Sequence, residues 1–423
     1  MKKKERIILL ILAALNFTHI LDFMIMMPLG NYLMPYFNIN TQEFSFLVAA
    51  YTVSAAVSGF AAAFFVDRYD RKKILLFGYS GFLLGTIACG LAPGYGWLLT
   101  FRLIAGLFGG LIGAQVLSIV SDIFTYERRG RAMGAIMSAF AVASTIGVPF
   151  ALYLSNLISW HAPFLLVGGL GMGIIPLIIY YLPPMTAHLH GNNVNVARKW
   201  EVLKQVWVNR QARTALFFSG MVMMGHFMII PFINPYMEFN NGYPKSITPM
   251  IYLVGGISSF AAANILGYIA DKYGKLKVFV FCCLASLVFV FTITNIPPIH
   301  FSLILALFAI WFVLSTGRGV TSQAMVSNVV PPEQRGSFMN FNGSMQQLGT
   351  SVASLVGGMV AAKGSDGKIL HYNWLGYLSI AILLCCVIMA RSIFASFEIK
   401  KPVQKPEAVP VDKKADELVV DAD

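Results

Sequence analysis

The sequence predicts an all-α membrane protein: twelve transmembrane helices arranged as two pseudo-symmetric six-helix bundles. Three observations lead there. Apolar runs of about 20 residues, the length that crosses a hydrocarbon core, recur along the chain with short polar breaks. The basic residues gather in alternate breaks, and two breaks of the first half return in the second at nearly constant spacing. Composition agrees, because only 12% of the 423 residues are charged, 57% are hydrophobic and the mean hydropathy is +0.69. An ordinary soluble domain carries roughly 25% charged residues.

In order, spans are expected near 7–33, 44–66, 74–92, 97–124, 132–158, 163–183, 213–237, 248–270, 277–296, 300–329, 338–362 and 374–398. They must be helices, since lipid offers no partner to a backbone polar group and the runs lack the alternation of a barrel strand. The first run is too long and too polar within to be a cleaved leader, and no small-residue cleavage site follows it, so it counts as span 1.

The breaks fix orientation. With the N-terminus inside, the inner segments hold Lys2, Lys3, Lys4 and Arg6, then Arg68, Arg71, Lys72 and Lys73, then Arg128, Arg129 and Arg131. The same side later holds Arg198, Lys199, Lys204, Arg210 and Arg213, then Lys272, Lys275 and Lys277, then Arg335 and the tail. The opposite loops hold Lys245, Lys363 and Lys368. This positive-inside bias places both termini in the cytoplasm with an even span count. It also accounts for the net charge of +12 without nucleic acid as a partner.

The connection at 184–212 divides the chain into an N-terminal bundle, 1–183, and a C-terminal bundle, 213–398. Within it Val196, Trp200, Leu203 and Trp207 recur at helical spacing among basic residues, which suits a helix lying on the inner membrane surface. An irregular basic linker is the alternative. The tail 399–423 is rich in Lys, Pro, Val and Asp and is expected to be disordered. Cys89, Cys282, Cys283, Cys385 and Cys386 fall inside spans without metal-ligand spacing and read as packing residues. No metal or other cofactor is expected.

The halves repeat. Between spans 2 and 3 the chain reads AFFVDRYDRKK, and between spans 8 and 9 it reads GYIADKYGKLK, so Asp67 and Asp271 correspond at an offset of 204. YERRG after span 4 and PEQRG after span 10 bring Glu127, Arg129 and Gly130 onto Glu333, Arg335 and Gly336 at an offset of 206. Register kept in two separate places argues for a duplicated six-span unit.

On these residues the chain resembles the major facilitator superfamily, and within it the twelve-span drug:proton antiporter branch, over about residues 5–398. The family's loop after span 2, Gly-x-x-x-Asp-Arg-x-Gly-Arg-Lys, is matched by Asp67, Arg68, Arg71 and Lys72, while Ala63 and Asp70 stand where it has glycines. The second copy keeps Gly267, Asp271 and Gly274. The family's span 4 motif is present as Arg102 with Gly106, and Gly109 and Gly110 lie beyond it. The exporter motif of span 5 is represented by Gly147 and Pro149. The resemblance implies a monomeric, multi-pass transporter of the bacterial inner membrane that binds a small-molecule substrate, exchanges it for protons and is not an enzyme. It also implies a cytoplasmic gate in which Asp67 and Asp122 share the cations Arg68, Arg71 and Lys72.

Charges inside spans cost at least about 2.5–3.5 kcal/mol on insertion scales, so they mark function. Asp22 in span 1 and Arg102 in span 4 fall at comparable depth and are expected to form a pair that protonation of Asp22 breaks. A permanent structural pair is the rival reading. His226 in span 7 sits near the position matching Asp22 and is grouped with the proton-coupling residues, although a lone interfacial His is equally compatible. His19, one turn before Asp22, is a weaker candidate, and Glu238 is expected at the membrane interface. Arg318 has no acid at its own depth and is assigned to a substrate cavity with Gln115, Asn234, Gln323, Asn342 and Gln346. Asn342 and Gln346, four apart, share a helix face. Gly106, Gly109, Gly110 and Gly113 permit close packing of span 4, and Pro149 permits a bend in span 5.

Proton-coupled export of a small organic solute or drug is therefore expected. A proton-linked carrier of an anionic or sugar-like metabolite, with Arg318 holding the cargo, is the alternative, as is a non-transporting sensor of the same fold. The sequence contains no nucleotide-cradling loop and no nucleophile beside a base.

Overall fold

Helices make up nearly all the regular structure of the computed structural model, which describes residues 3–124, 126–186, 204, 207–331 and 335–398. The linker residues Val196, Trp200 and Leu203, the loop residue Glu333 and the tail 399–423 lie outside the described residues. Span 1 is Lys3–Met26, span 2 Thr41–Phe65, span 3 Arg71–Gly90, span 4 Tyr95–Ile123 and span 6 His161–Tyr181. Span 5 runs from Tyr126–Val142 through a π-helical turn, Ala143–Gly147, into Val148–Leu157. In the second half span 7 is Arg210–Phe227 with a broken extension to Asn240, span 8 is Pro249–Tyr273 and span 9 is Lys275–Thr294. Spans 10, 11 and 12 are Phe301–Val326, Arg335–Val360 and Tyr372–Glu398.

Eleven of these helices are long and apolar enough to cross a membrane. Span 11, at 26 residues, has the length, but it carries Asn340, Asn342, Gln346, Gln347 and a run of Ser and Thr. Its neighbours explain its polarity: it packs along span 2 of the other half and span 7 of its own, so little of it needs to match lipid.

Local signals set the helix ends. Asn40 and Glu43 form a reciprocal capping box at the start of span 2, with Glu43 N–H donating to Asn40 Oδ1 at 2.8 Å. Gly274, at φ +103, closes span 8 in a conformation that L side chains rarely adopt. In the first-half loop Asp70 occupies the matching place at φ −54 and instead caps span 3, accepting from Lys72 N at 2.9 Å and from Met185 N at 3.0 Å. The departure from the family's glycine is thus a change of cap, and it fastens span 3 to the end of span 6. Lys72 Nζ adds to this by donating to the carbonyls of Ile179 and Leu182 at 2.8 and 2.6 Å.

Each half packs its own helices, with span 4 seated on spans 2 and 3 and span 10 on spans 8 and 9. Glycine makes the first contact close: a Cβ on Gly106 would lie 2.3 Å from the Tyr51 carbonyl oxygen, and one on Gly110 2.3 Å from that of Ala55. The halves meet along span 2 with span 11 and span 5 with span 8. At the second contact a Cβ on Gly256 would lie 2.4 Å from Thr145 Cα.

The buried apolar residues explain the shape. One large cluster draws on both halves, from Leu21, Phe44 and Phe164 to Phe232, Ile251 and Phe308, and fills the end of the bundle opposite the basic loops. That end also carries a short hairpin, β1 (Ala362–Lys363) and β2 (Ile369–Leu370), and is called the hairpin end below. Toward the basic end the core divides into a cluster on the first half, including Leu12, Phe82 and Ile119, and one on the second, including Phe218, Phe279 and Phe338.

Candidate transport site: a buried ion pair beside an uncharged cavity

Asp22 and Arg102 are fully enclosed, at 0% and 1% exposure, and Arg102 Nη1 donates to Asp22 Oδ2 at 2.8 Å. The guanidinium lies over the ring of Tyr51 in span 2, 4.4 Å from its centroid, so a cation–π contact covers the face that no carboxylate reaches. Thr86 and Cys89 of span 3 pack beside the pair. Four helices, spans 1 to 4, therefore hold two opposite charges in a region of low dielectric, where neither is tolerated alone.

Tyr51 also connects the pair with the cavity. A Cβ on Gly109 would come within 2.6 Å of Tyr51 Oη and 3.1 Å of His19 Nε2, so the glycine leaves room for both groups against span 4. His19 rests edge-on against Phe82, with ring centroids 5.4 Å apart, and lines the cavity. Asn16, His19 and Asp22 succeed each other at intervals of three, so span 1 presents cavity wall and ion pair on one face.

The cavity measures about 260 Å³ and occupies the basic-end part of the bundle, between spans 1, 2 and 4 on one side and spans 10 and 11 on the other. Ala55, Gly59, Gly109, Gly110 and Gly113 make a smooth stretch of its first-half wall, which Asn16, His19, Val116, Leu117 and Ile136 complete. Amides dominate the opposite wall: Gln323, Asn340, Asn342 and Gln347. Gln323 Oε1 accepts from Asn342 Nδ2 at 3.3 Å and from Gln346 Nε2 at 3.0 Å, while Gln346 also donates to Ser219 at 2.9 Å.

The expected cavity residues therefore separate. Gln323 and Asn342 line this cavity, and Gln346 braces them from behind. Gln115 is buried in span 4 but turns off the wall that its neighbours Val116 and Leu117 form. Asn234 is placed elsewhere: beyond the break at Pro231 it sits at the hairpin end and donates to the Pro28 carbonyl at 3.1 Å across the halves. Arg318 is also off this cavity, because its side chain turns into the second bundle, where Nη2 donates to Ser315 Oγ at 2.7 Å near Cys282, Cys283 and Cys386. His226 does not join Asp22 and Arg102. It packs on Trp311 with ring centroids 5.2 Å apart, on the Arg318 side.

At the basic end Arg71 Nε pairs with Asp122 at 3.1 Å. Asp67 and Arg68 form the short turn Val66–Arg68 after span 2. Asp271, 76% exposed, has Lys275 at 3.9 Å, and Gly267 lies in open packing with Val320 4.0 Å from an added Cβ. In span 5 the π-turn ends at Gly147 and Pro149 is the second residue of the next helix, so the wider turn accommodates the proline that would otherwise clash with a carbonyl one turn back. Sequence reading passed over Asn16, Tyr51 and Asn340 and ranked His19 low. The three-residue spacing of Asn16, His19 and Asp22 was the available signal for two of these four.

Two bundles that share a core at one end and part around a cavity at the other define a membrane transporter architecture. The chain belongs to the Major Facilitator Superfamily, whose family model matches residues 12–322. It is similar to the uncharacterized MFS-type transporter YbcL of Bacillus subtilis (strain 168), with 23% identity over 74% of this chain and 78% of the relative. A probable sugar efflux transporter of Helicobacter pylori (strain ATCC 700392 / 26695) is 21% identical over 86% of this chain and 88% of its own length. Among solved structures, a bacterial homolog to human lysosomal transporter Spinster, in an inward-facing and occupied conformation, shares the fold with a TM-score of 0.76. It is 13% identical, and the match covers 96% of this chain and 100% of that one.

Proposed function

We propose that this chain is a proton-coupled exporter of a small organic solute, related to the drug:proton antiporter branch of its superfamily and working as a monomer in a bacterial inner membrane. The observation that carries the reading is the sealed Asp22–Arg102 pair, joined through Tyr51 to the wall of a central cavity. A carboxylate held chiefly by a buried guanidinium exchanges its ion pair for a proton when the surrounding helices shift, and that exchange ties proton movement to conformation.

Alternating access then moves bundle 1–183 against bundle 213–398, with 184–212 as linker and 399–423 as tail. The basic loops support a cytoplasmic location for both termini. A cavity in the basic-end half and a shared core at the hairpin end support a state facing the cytoplasm. Arg71 with Asp122, in the loop that includes Asp67, supports a gate at that end. Similarity to the probable sugar efflux transporter of Helicobacter pylori supports export. An anionic cargo held by Arg318 has less support, since Arg318 is absent from the cavity wall.

In proteoliposomes with an imposed pH gradient, Asp22→Asn is expected to abolish gradient-driven flux while the purified protein stays folded. Undiminished driven flux in that variant would refute the coupling assignment.

A further inference from the structure

We propose that the cavity binds a neutral, compact, multiply hydroxylated solute of monosaccharide or polyol size. This rests on reading the cavity as the transport site and adds the chemistry of what enters it.

Size comes first. Pockets for drug-sized ligands hold about 300–1,000 Å³, and this one holds about 260 Å³. The lining then sets polarity. Apart from His19, the cavity wall contains no acidic or basic side chain among the described residues, because Asp22, Arg102 and Arg318 all lie off it. Among the described lining residues other than His19, an anion finds no cation and a cation no carboxylate, and an unpaired charge is costly to desolvate. Aromatic cargo is disfavoured on separate grounds. The chain has 33 Phe, 17 Tyr and 6 Trp, yet none of them is in the described lining, so flat rings have no stacking platform.

What the wall does offer is hydrogen bonding without charge. Asn342 is 1% exposed, its Nδ2 is engaged by Gln323, and its Oδ1 has no protein partner. Gln347 Oε1 on the same wall is likewise without one. Buried amide oxygens left unbonded are costly, and a ligand hydroxyl satisfies them by donating. Hydroxyls both donate and accept, which suits a wall of amides that do the same.

Two glycines point to reserved space. Gly113 and Gly343 line the cavity from opposite halves, and an added Cβ at either meets nothing within 4 Å. Packing therefore does not require them, although a helical glycine costs about 1 kcal/mol relative to alanine. Their hydrogen side chains leave volume for cargo.

The test is equilibrium binding by calorimetry to the purified full chain, with no proton gradient. The panel is D-glucose, D-galactose, L-arabinose and D-mannitol, with D-gluconate, D-glucosamine and tetraphenylphosphonium as charged comparators. At least one neutral member is expected to saturate the protein, with its charged counterparts at least tenfold weaker. Asn342→Ala is expected to weaken that binding about tenfold, as loss of one hydrogen bond of about 1.4 kcal/mol would. Gly113→Leu and Gly343→Leu are expected to abolish it without lowering the melting temperature of the free protein, and Gly113→Ala serves as a milder version of the same test. Failure of every neutral member to bind at millimolar concentration, equal or tighter binding of a charged comparator, or full affinity in the Gly113→Leu and Asn342→Ala variants would each overturn the proposal. Neutral-solute binding by a protein whose flux ignores the pH gradient would uphold it while refuting proton coupling.

Discussion

At the scale of the residue, Arg102 has a double role: it neutralises Asp22 and lies over the ring of Tyr51, whose hydroxyl rests against Gly109 of the cavity wall. Removing one member of a buried pair leaves the other unpaired, at a cost of about 3–5 kcal/mol, whereas removing both charges avoids that cost. Arg102→Ala is therefore expected to lower the melting temperature sharply, and Asp22→Asn combined with Arg102→Ala to recover most of the loss. A double variant no more stable than Arg102→Ala would mean that the arginine acts by packing instead of charge. The two charges were legible because a charge inside an apolar run is conspicuous and expensive. Neutral polar groups were legible only in part: Gln323 and Asn342 were picked out for the cavity, whereas Asn16 and Asn340 were not. Asn16, Asn340 and Asn234 look alike in sequence, and only the direction in which each helix turns, together with the break at Pro231, decides which of them meets the cavity.

Among the elements, the loops that join spans show how a motif can change residue and keep its task. Gly274 turns the second-half loop by its left-handed φ, whereas Asp70 turns the first by capping, with bonds to Lys72 N and Met185 N. N-cap side chains contribute typically about 1 kcal/mol. Asp70→Ala is expected to lower stability by about that amount, read as a modest fall in melting temperature, and a glycine at the same place to cost less. An unchanged melting temperature for Asp70→Ala would show that Lys72 alone fastens span 3 to span 6. The repeat of the two loops was visible in the sequence because Asp67 and Asp271 keep register. The division of labour between cap and glycine was not, since it depends on Met185 arriving from a span more than a hundred residues away. Span 11 teaches a related lesson: it was recognised as a span from length and place, while its amides, which break the apolar pattern, turn out to face protein and cavity in preference to lipid.

For the molecule as a whole, the duplicated architecture was readable from loops and charge, but which end is closed was not, because closure is made by contacts between halves that lie about 200 residues apart. Most of the polar contacts between the halves gather at the hairpin end, while Phe60 and Phe64 meet Phe341 nearer the basic end. Asn31 Nδ2 donates across the halves to both Glu238 carboxylate oxygens at 2.7 Å, while Thr248, on the same half as Glu238, steadies that carboxylate by donating to Oε1 at 2.9 Å. Nearby, Asn234 reaches the Pro28 carbonyl at 3.1 Å, and Thr41 donates to the Ala361 carbonyl. Lys245 lies over the Tyr32 ring, 4.8 Å from its centroid, which places a second inter-half contact beside the carboxylate. On the proposed rocking of one half against the other, the bonds that join the halves part before the cavity faces the other side. A hydrogen bond to a charged group contributes about 1.5–3 kcal/mol, so Asn31→Ala is expected to raise the ratio of hairpin-open to hairpin-closed molecules by roughly tenfold or more. Spin labels placed at the exposed residues Tyr36 and Leu370, one on each half, would register this as a longer-distance population in a cysteine-free background. If the distance distribution of that labelled pair is the same with and without Asn31→Ala, the closed end is held by the shared apolar cluster, and the Asn31–Glu238 bond only follows it.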